Sequence, residues 1–396
     1  MEQELISNIA IIGCGASGGF ASVLLSKNPN CKIVAFDTKE PFSTLLPTGG
    51  GRCNLTNNNP DVFDFVKNYP RGEKFLLSVF SRFGVEKTRA LFKDLGIKTY
   101  VQKDNRVFPT SDSSRVVIQT LQKHLNTDNF ELKKEKVFSI KKETEKFIIN
   151  DKYKFDYVII STGGRGNGFE LAKSLGHNII DVKPSLCSLD IKEKYLYNLS
   201  GLSFQNTEAN IQLGKKKLYV NGDLLFAHKF VTGPVIFKVS ALSAFEEISF
   251  DKPLNITLKL VDLSIDDLEQ EIKNNSKKTI KNVFCKFAPE SYIMEILKAN
   301  KIDGNKQASQ IKKSEKEILY NSLTQLKLTA IARIKDSEIV SAGGIDLNEI
   351  DSKTMQSKLI EGLYFTGEVL NIDAYTGGYN LQNCWSTAWI VANNFN

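Results

Sequence analysis

Asn8-Ile9-Ala10-Ile11-Ile12 runs into Gly13-Cys14-Gly15-Ala16-Ser17-Gly18-Gly19, and the chain continues Phe20-Ala21-Ser22-Val23-Leu24-Leu25. The first run reads as a short buried strand and the last as the start of a helix. A G-x-G-x-x-G stretch between such a strand and helix is a dinucleotide-binding fingerprint. Gly13 permits the tight turn. Gly15 lets backbone approach a pyrophosphate, and Gly18 lets the helix pack on the strand. The helix N-terminus then faces the phosphates. A second apolar run, Lys32 to Phe36, ends at Asp37. An acid at that distance can accept hydrogen bonds from an adenosine ribose. The competing reading is a glycine-rich turn that only packs a helix.

The next segment, Pro47-Thr48-Gly49-Gly50-Gly51-Arg52-Cys53-Asn54-Leu55-Thr56-Asn57, holds three consecutive glycines and a run of small polar residues. Such a loop exposes many backbone N–H groups and can wrap an anionic or planar ligand. The planar fork of Arg52 suits a phosphate or a flavin carbonyl edge. A plain surface turn has the same composition. Residues 60–95 read as helical with breaks near Pro70 and Gly84, and residues 113–126 as an amphipathic helix with Val117, Leu121 and Leu125 on one face. Short strands follow. The run Tyr157-Val158-Ile159-Ile160 enters Ser161-Thr162-Gly163-Gly164, which predicts a buried strand returning to the first sheet.

From about Lys183 the pattern changes. Short alternating segments over 186–260 predict a small antiparallel barrel or sheet. Thr232, before Gly233-Pro234, is an expected N-cap with proline in the first turn. His228 lies just upstream; a lone histidine is more often structural than catalytic. Residues 264–316 read as helices with lysine-rich faces, Ser264 and Asp267 forming a loose capping box. The last third returns to glycine-rich strand–turn units: Ser341 to Ile345, Gly362 to Glu368, and Tyr375-Thr376-Gly377-Gly378-Tyr379-Asn380-Leu381-Gln382 before a final helix. A Thr-Gly-Gly opening a helix places a second helix N-terminus where it can stabilise negative charge on a reduced ring.

The 396 residues allow two or three domains. With 41% hydrophobic and 24% charged residues the chain reads as globular rather than disordered. No apolar run reaches the ~18 residues of a membrane helix. The acidic start, Met1 to Asn8, argues against a secretory leader. Six scattered cysteines without a CxxC pair, and three histidines, argue against a zinc site and for a reduced, cytoplasmic setting. The net charge of +7 has an address. Residues 273–316 hold eleven lysines against four acids, so this window carries the whole excess.

Taken together and in order, GxGxxGG, GGGRCNLTN, STGG, AHKFVTGP, SAGGI, TMQSK, GLYFTGE and YTGGYNLQ resemble the BaiN or aminoacetone-oxidase (YhiN-type) family of bacterial FAD-dependent oxidoreductases. The resemblance spans nearly the whole chain, and GGGRCNLTN and TGGYNLQ are its specific parts. It implies an α/β fold: a Rossmann-like FAD-binding domain interrupted by an inserted antiparallel β-barrel-like domain and a small helical subdomain. The expected bounds are 1–185 and 331–396 for the FAD-binding domain, 186–262 and 317–330 for the barrel, and 263–316 for the helices. FAD is then expected on Gly13, Gly15, Ala16, Ser17, Gly18, Gly19, Asp37, Thr38 and Lys39. The loop Gly50, Gly51, Arg52, Cys53 and Asn54 joins them, with Thr162, Gly163, Gly164 and Gly344. The C-terminal set is Gly367, Glu368, Gly377, Gly378, Tyr379, Asn380, Leu381 and Gln382. Three departures stand out: Asp37 where glutamate is common, Asn371 and Ala374 where aspartate and glycine are frequent, and Ala227 in place of a threonine.

Three functions follow from the resemblance. One is reduction of a ribosomal RNA uridine to dihydrouridine, with a hydride from flavin N5 and a proton from a nearby acid; Cys53, His228 and Tyr379 are the candidates. Another is oxidation or reduction of a small molecule, an amine or steroid-like acid. The last is a flavin-binding RNA or ribosome partner without turnover. Lys273, Lys277, Lys278, Lys281 and Lys286 are the candidate RNA contacts, since a basic helical face has sequence-independent phosphate affinity. A solvated helix face has the same composition. Phe284, Phe287 and Tyr292 either stack bases or form core. No second GxGxxG is present for a nicotinamide, so NAD(P)H is expected to bind only transiently. No metal is expected.

Overall fold

The computed structural model describes residues 6–395; Met1 to Leu5, the larger part of the acidic start, lie outside them. The chain divides into two compact units, one of residues up to Lys183 together with Val340 onward, the other Pro184–Ile339.

The first unit is built on a five-stranded parallel sheet in the order Leu363–Phe365, Tyr157–Ile160, Ser7–Ile12, Cys31–Phe36, Phe130–Lys133. Ser7–Ile12 is central because it pairs on both sides, Ile9 with Tyr157 and with Ile33. The four strands other than the edge strand Phe130–Lys133 are largely buried and near-continuous apolar runs, as a parallel sheet requires; Phe130–Lys133 is only partly covered. The expected return of Tyr157–Ile160 to the first strand is therefore what the chain does. Helices Ala16–Leu25 and Tyr379–Ala392 belong to this unit. Trp385 of the latter packs edge-on against Phe20 and Phe92, with ring centroids 5.1 and 5.2 Å away. Its indole N–H donates to Leu55 O at 2.9 Å, so even this wholly buried ring leaves no donor unmatched. The helical stretch over 60–95 breaks into Val62–Val66, Glu73–Arg82 and Val85–Asp94, as Pro70 and Gly84 predict.

The second unit holds a closed six-stranded barrel. Its order is Leu189–Ile191, Val231–Thr232, Lys216–Phe226, Ser203–Leu213, Leu254–Lys259, Leu326–Arg333, closing back on the first. All its pairings are antiparallel. Alternation decides which way each strand faces: Ala209 and Ile211 point in, while Glu208 and Gln212 are exposed. Helices Ile265–Asn274, Ile280–Phe284, Glu290–Ala299 and Lys313–Thr324 share one apolar core with the barrel, in which Phe226, Phe204 and Tyr292 meet. The helical segment thus has no core of its own, and helix Lys313–Thr324 runs across the expected boundary at 316. Ser264 caps its helix as expected, accepting from the Asp267 N–H at 3.1 Å. Thr232 does not cap the next one. Gly233 is the N-cap and Pro234 the first helical residue, and the Thr232 hydroxyl accepts from Ser188 at 2.8 Å instead. No helix among the described residues is long and apolar enough to cross a membrane.

Candidate cofactor site

The fingerprint turn is shaped by close packing. Gly13 sits at φ +92°, and a Cβ there would lie 2.7 Å from Ser161 O. At Gly18 a Cβ would come within 2.0 Å of Gly13 O. Both glycines let helix Ala16–Leu25 start directly against the strand ends. That helix has Gly15 as N-cap and no side-chain cap. Ala16 N–H donates to Thr44 Oγ1 at 3.1 Å, and the other first-turn donors are left for water or a ligand. Ser17 is turned away, its hydroxyl donating to Thr366 Oγ1 at 2.6 Å, and Gly19 packs against Phe42. Asp37 accepts from Cys14 N–H at 2.7 Å and Lys39 N–H at 2.9 Å. Each carboxylate oxygen thereby keeps a free lone pair for a ribose. Thr38 and Lys39 are exposed beside it.

The 48–54 loop is a tight turn in which Gly50 and Gly51 have open space around them. The Arg52 guanidinium lies 4.1 Å over the Phe108 ring and 3.9 Å from Asp112. Asn54 is buried. With its amide nitrogen turned to Val107 O and Thr56 O, its oxygen accepts from Gly378 N–H at 2.9 Å. This bond joins the loop to the start of the last helix. Cys53 differs from expectation. Its backbone takes φ +64°, and its side chain is wholly buried in the apolar core. Burial pushes its thiol up to about 12. It presents no surface from which to hand over a proton.

Helix Tyr379–Ala392 begins at Gly378, φ +97°, again without a side-chain cap. The preceding turn is held open by Asn380, whose amide accepts from Ala374 N–H and donates to Ala374 O, both at 2.9 Å. Gln382 is fully buried: it accepts from Thr56 Oγ1 at 2.6 Å and donates to Thr88 and Ser386 at 2.7 and 2.8 Å. Asn380 and Gln382 are thus brace residues whose side chains are already satisfied. Tyr379 is half-buried, edge-on to Phe65 with centroids 4.9 Å apart, and burial pushes its phenol up to about 12. Leu381 is half-buried on the same turn. Gly377 packs against the Tyr379 ring.

In the return strand's turn, Gly163 is left-handed with open space around it, Gly164 packs on Ser341, and the buried Thr162 hydroxyl has no partner. Gly344, on the same strand as Ser341, backs onto the Val369–Leu370 backbone beside Gly367–Glu368, where a Cβ would strike Val369 O at 2.7 Å. Gly367 N–H donates to Thr387 Oγ1 at 3.0 Å. Glu368 is half-buried, and its carboxyl is pushed up to about 7, by burial first and the charge of Asp373 second, with Arg165 opposing. Sequence reasoning missed Arg71. Its guanidinium forms a two-pronged ion pair with Asp373, which is wholly buried. The two residues lie 302 positions apart, so no local pattern joins them.

The remaining candidates belong to the second unit. His228 is exposed on the turn between strands Lys216–Phe226 and Val231–Thr232. Lys281 pairs with Glu290 at 2.9 Å and Lys286 with Glu271, while Lys273, Lys277 and Lys278 are exposed. Phe284 and Tyr292 are core, Tyr292 donating to Ser322 O, so neither is available to stack a base.

Two helix starts without side-chain caps, an acid with spare lone pairs, open space at Gly50, Gly51 and Gly163, and an orphaned Thr162 hydroxyl fit an FAD in the first unit. Gly13, Gly15, Ala16 and Asp37 would hold its adenosine and phosphates, and the 50–54 loop and Gly377–Gly378 its ring. A Rossmann sheet carrying these features defines an FAD-dependent oxidoreductase. More narrowly, the chain belongs to the HI0933-like family, whose Rossmann-domain model matches residues 7–394. It is 27% identical to the 3-dehydro-bile acid delta(4,6)-reductase of Clostridium scindens, covering 98% of each chain. It is 26% identical to the ribosomal RNA dihydrouridine synthase of Escherichia coli, covering 96% of each. The fold is also similar to 3-ketosteroid delta1-dehydrogenase from Sterolibacterium denitrificans, with a TM-score of 0.50 at 10% identity over 98% of this chain and 99% of that one.

Proposed function

We propose that this enzyme saturates the C5–C6 double bond of a uridine in ribosomal RNA. The observation that carries the reading is end-to-end similarity to two ribosomal RNA dihydrouridine synthases, from Escherichia coli and Haemophilus influenzae, each covering 96% of this chain. FAD supplies hydride chemistry when bound. The chain's own part is to bind, orient and protonate. The N-terminus of helix Tyr379–Ala392 favours negative charge at the ring. The Tyr379 hydroxyl, a phenol and therefore protonated at neutral pH, delivers the proton to the substrate carbon. Lys273, Lys277 and Lys278 offer phosphate contacts without base specificity. NAD(P)H is the reductant in this reading, docking only transiently, and the RNA substrate makes the setting cytoplasmic.

Deleting the gene and mapping dihydrouridine in ribosomal RNA by mass spectrometry tests this. Loss of one dihydrouridine is expected, with restoration by the wild-type gene and not by Tyr379→Phe. An unchanged map refutes the reading. A second reading, reduction of a ring double bond in a small steroid-like acid, is favoured by the similarity to the bile acid reductase. Turnover of such an acid by the purified holoenzyme, with an unchanged RNA map, would establish it.

A further inference from the structure

The outward side of the barrel carries a surface that the lysine-rich helical window does not include. Hairpin strands Ser203–Leu213 and Lys216–Phe226 turn at Gly214-Lys215. Three consecutive lysines, Lys215, Lys216 and Lys217, are exposed at this tip. Tyr219, two residues on, stands 66% exposed on the outward face, with the Lys217 ammonium 5.3 Å from its ring centroid. A tyrosine this exposed is not core. Its register continues across the sheet: Tyr219 pairs with Asn210, Asn210 with Thr257, and Thr257 with Lys327. These side chains form one outward row across four strands, spanning about 14 Å at the usual strand spacing. Among the described residues none of Lys215, Lys216, Lys217 and Lys327 has a carboxylate partner, unlike Lys281 and Lys286 of the helical window. Two acids interrupt the face: Glu208, beside Asn221 and Lys259, and Asp223, on the same side of its strand as Tyr219 and already accepting from the Asn206 N–H.

We propose that this face binds single-stranded RNA, with phosphates on the Lys215–Lys217 tip and Lys327, and a base stacked on Tyr219. The proposal rests on the RNA reading of the substrate. Unpaired lysines supply charge complementary to a polyanion. An exposed aromatic ring flanked by them is a stacking platform that every base can use. The amide of Asn210 and the hydroxyl of Thr257 hydrogen-bond to sugar or base without imposing a sequence. An acidic protein segment would use the lysines but has no need of the ring, which is why RNA is the occupant the row favours.

The test uses the full-length, FAD-loaded protein and a fluorescent oligouridine of about 20 nucleotides, titrated at two or more salt concentrations. Lys215→Glu with Lys216→Glu and Lys217→Glu is expected to weaken binding at least about twentyfold and to flatten the salt dependence by about two in slope. Tyr219→Ala is expected to weaken binding about tenfold with the salt slope unchanged. FAD content and melting temperature should match wild type in both, since these side chains are exposed. If wild type binds RNA and both variants keep its affinity, the face is overturned while the RNA reading stands on the helical lysines. If wild type binds no RNA at any salt, both fall. If polyglutamate binds as tightly as oligouridine and Tyr219→Ala changes neither, the face is a charge patch for acidic protein and the proposal fails.

Discussion

Two glycine-rich stretches of the first unit look alike as sequence and differ in what surrounds them. In the fingerprint, Gly13 and Gly18 are pressed against backbone, and added Cβ atoms would sit 2.7 and 2.0 Å from carbonyl oxygens. In the 48–54 loop, Gly50 and Gly51 meet nothing. The fold itself demands the first pair. Nothing in the fold demands the second beyond their left-handed turn, and the solvent-open space beside them is accessible to a ligand. A glycine motif therefore mixes two kinds of constraint, and substitution separates them.

The largest effect is expected at Gly18→Ala. A methyl group within 2.0 Å of Gly13 O and 2.3 Å of Ser161 Oγ cannot be relieved by a rotamer change. We expect about 4 kcal/mol of destabilisation by denaturant unfolding of the apoprotein. A drop below about 1 kcal/mol would show that the turn can shift, ending the contrast. Next comes Arg71→Ala. It removes the guanidinium from beside the buried Asp373 carboxylate, at a cost of about 3 kcal/mol. Asp373→Asn with Arg71→Met should recover part of that loss in the same unfolding measurement, which a purely steric role would not allow.

Glu368→Gln sharpens the comparison through pH. The folded carboxyl is held near 7, above its ordinary 4.5, so the folded state binds the proton more tightly than the unfolded one. Its stabilising contribution is present below about pH 4.5 and is lost as pH rises through 7. Its partial contact with solvent trims the effect to about 2 kcal/mol. The apoprotein of Glu368→Gln should lack this decline between pH 5 and about 8 in thermal scans; an identical slope in both proteins would mean that Glu368 is ionised throughout. The smallest stability effect belongs to Gly51→Ala, about 1 kcal/mol for a non-glycine residue at φ +83°. FAD affinity, read by flavin fluorescence, should fall at least tenfold in roughly the same protein. Unchanged affinity would return the loop to an ordinary turn.

Much of the first unit could be read in advance because its signals are local. Gly13 to Gly19 sit between strand and helix, Asp37 ends the next strand, and Pro70 and Gly84 break helices where they stand. The barrel was readable from alternation in Ser203–Leu213 and Leu254–Lys259. What escaped depends on partners distant in sequence. Nothing near Cys53 says that its side chain turns inward, because that follows from a backbone at φ +64°. Nothing local in Asn380 and Gln382 shows that their side-chain amides bond to Ala374, Thr56 and Thr88. Arg71 was invisible without Asp373. Charge counting found the lysines of 273–316 but not that Lys281 and Lys286 are paired, nor that the three lysines at 215–217 are not.

The Trp385 ring, lodged against Phe20 and Phe92, has a consequence for synthesis. Phe20 leaves the ribosome long before Trp385, roughly 20–70 s earlier at ordinary elongation rates. During that interval the nascent sheet also lacks its edge strand Leu363–Phe365, while the whole of Pro184–Ile339 is being made. The second unit can mature while the first waits with apolar surface uncovered. The newborn chain therefore passes through a stage in which its catalytic half is the part most exposed to aggregation and most in need of a chaperone.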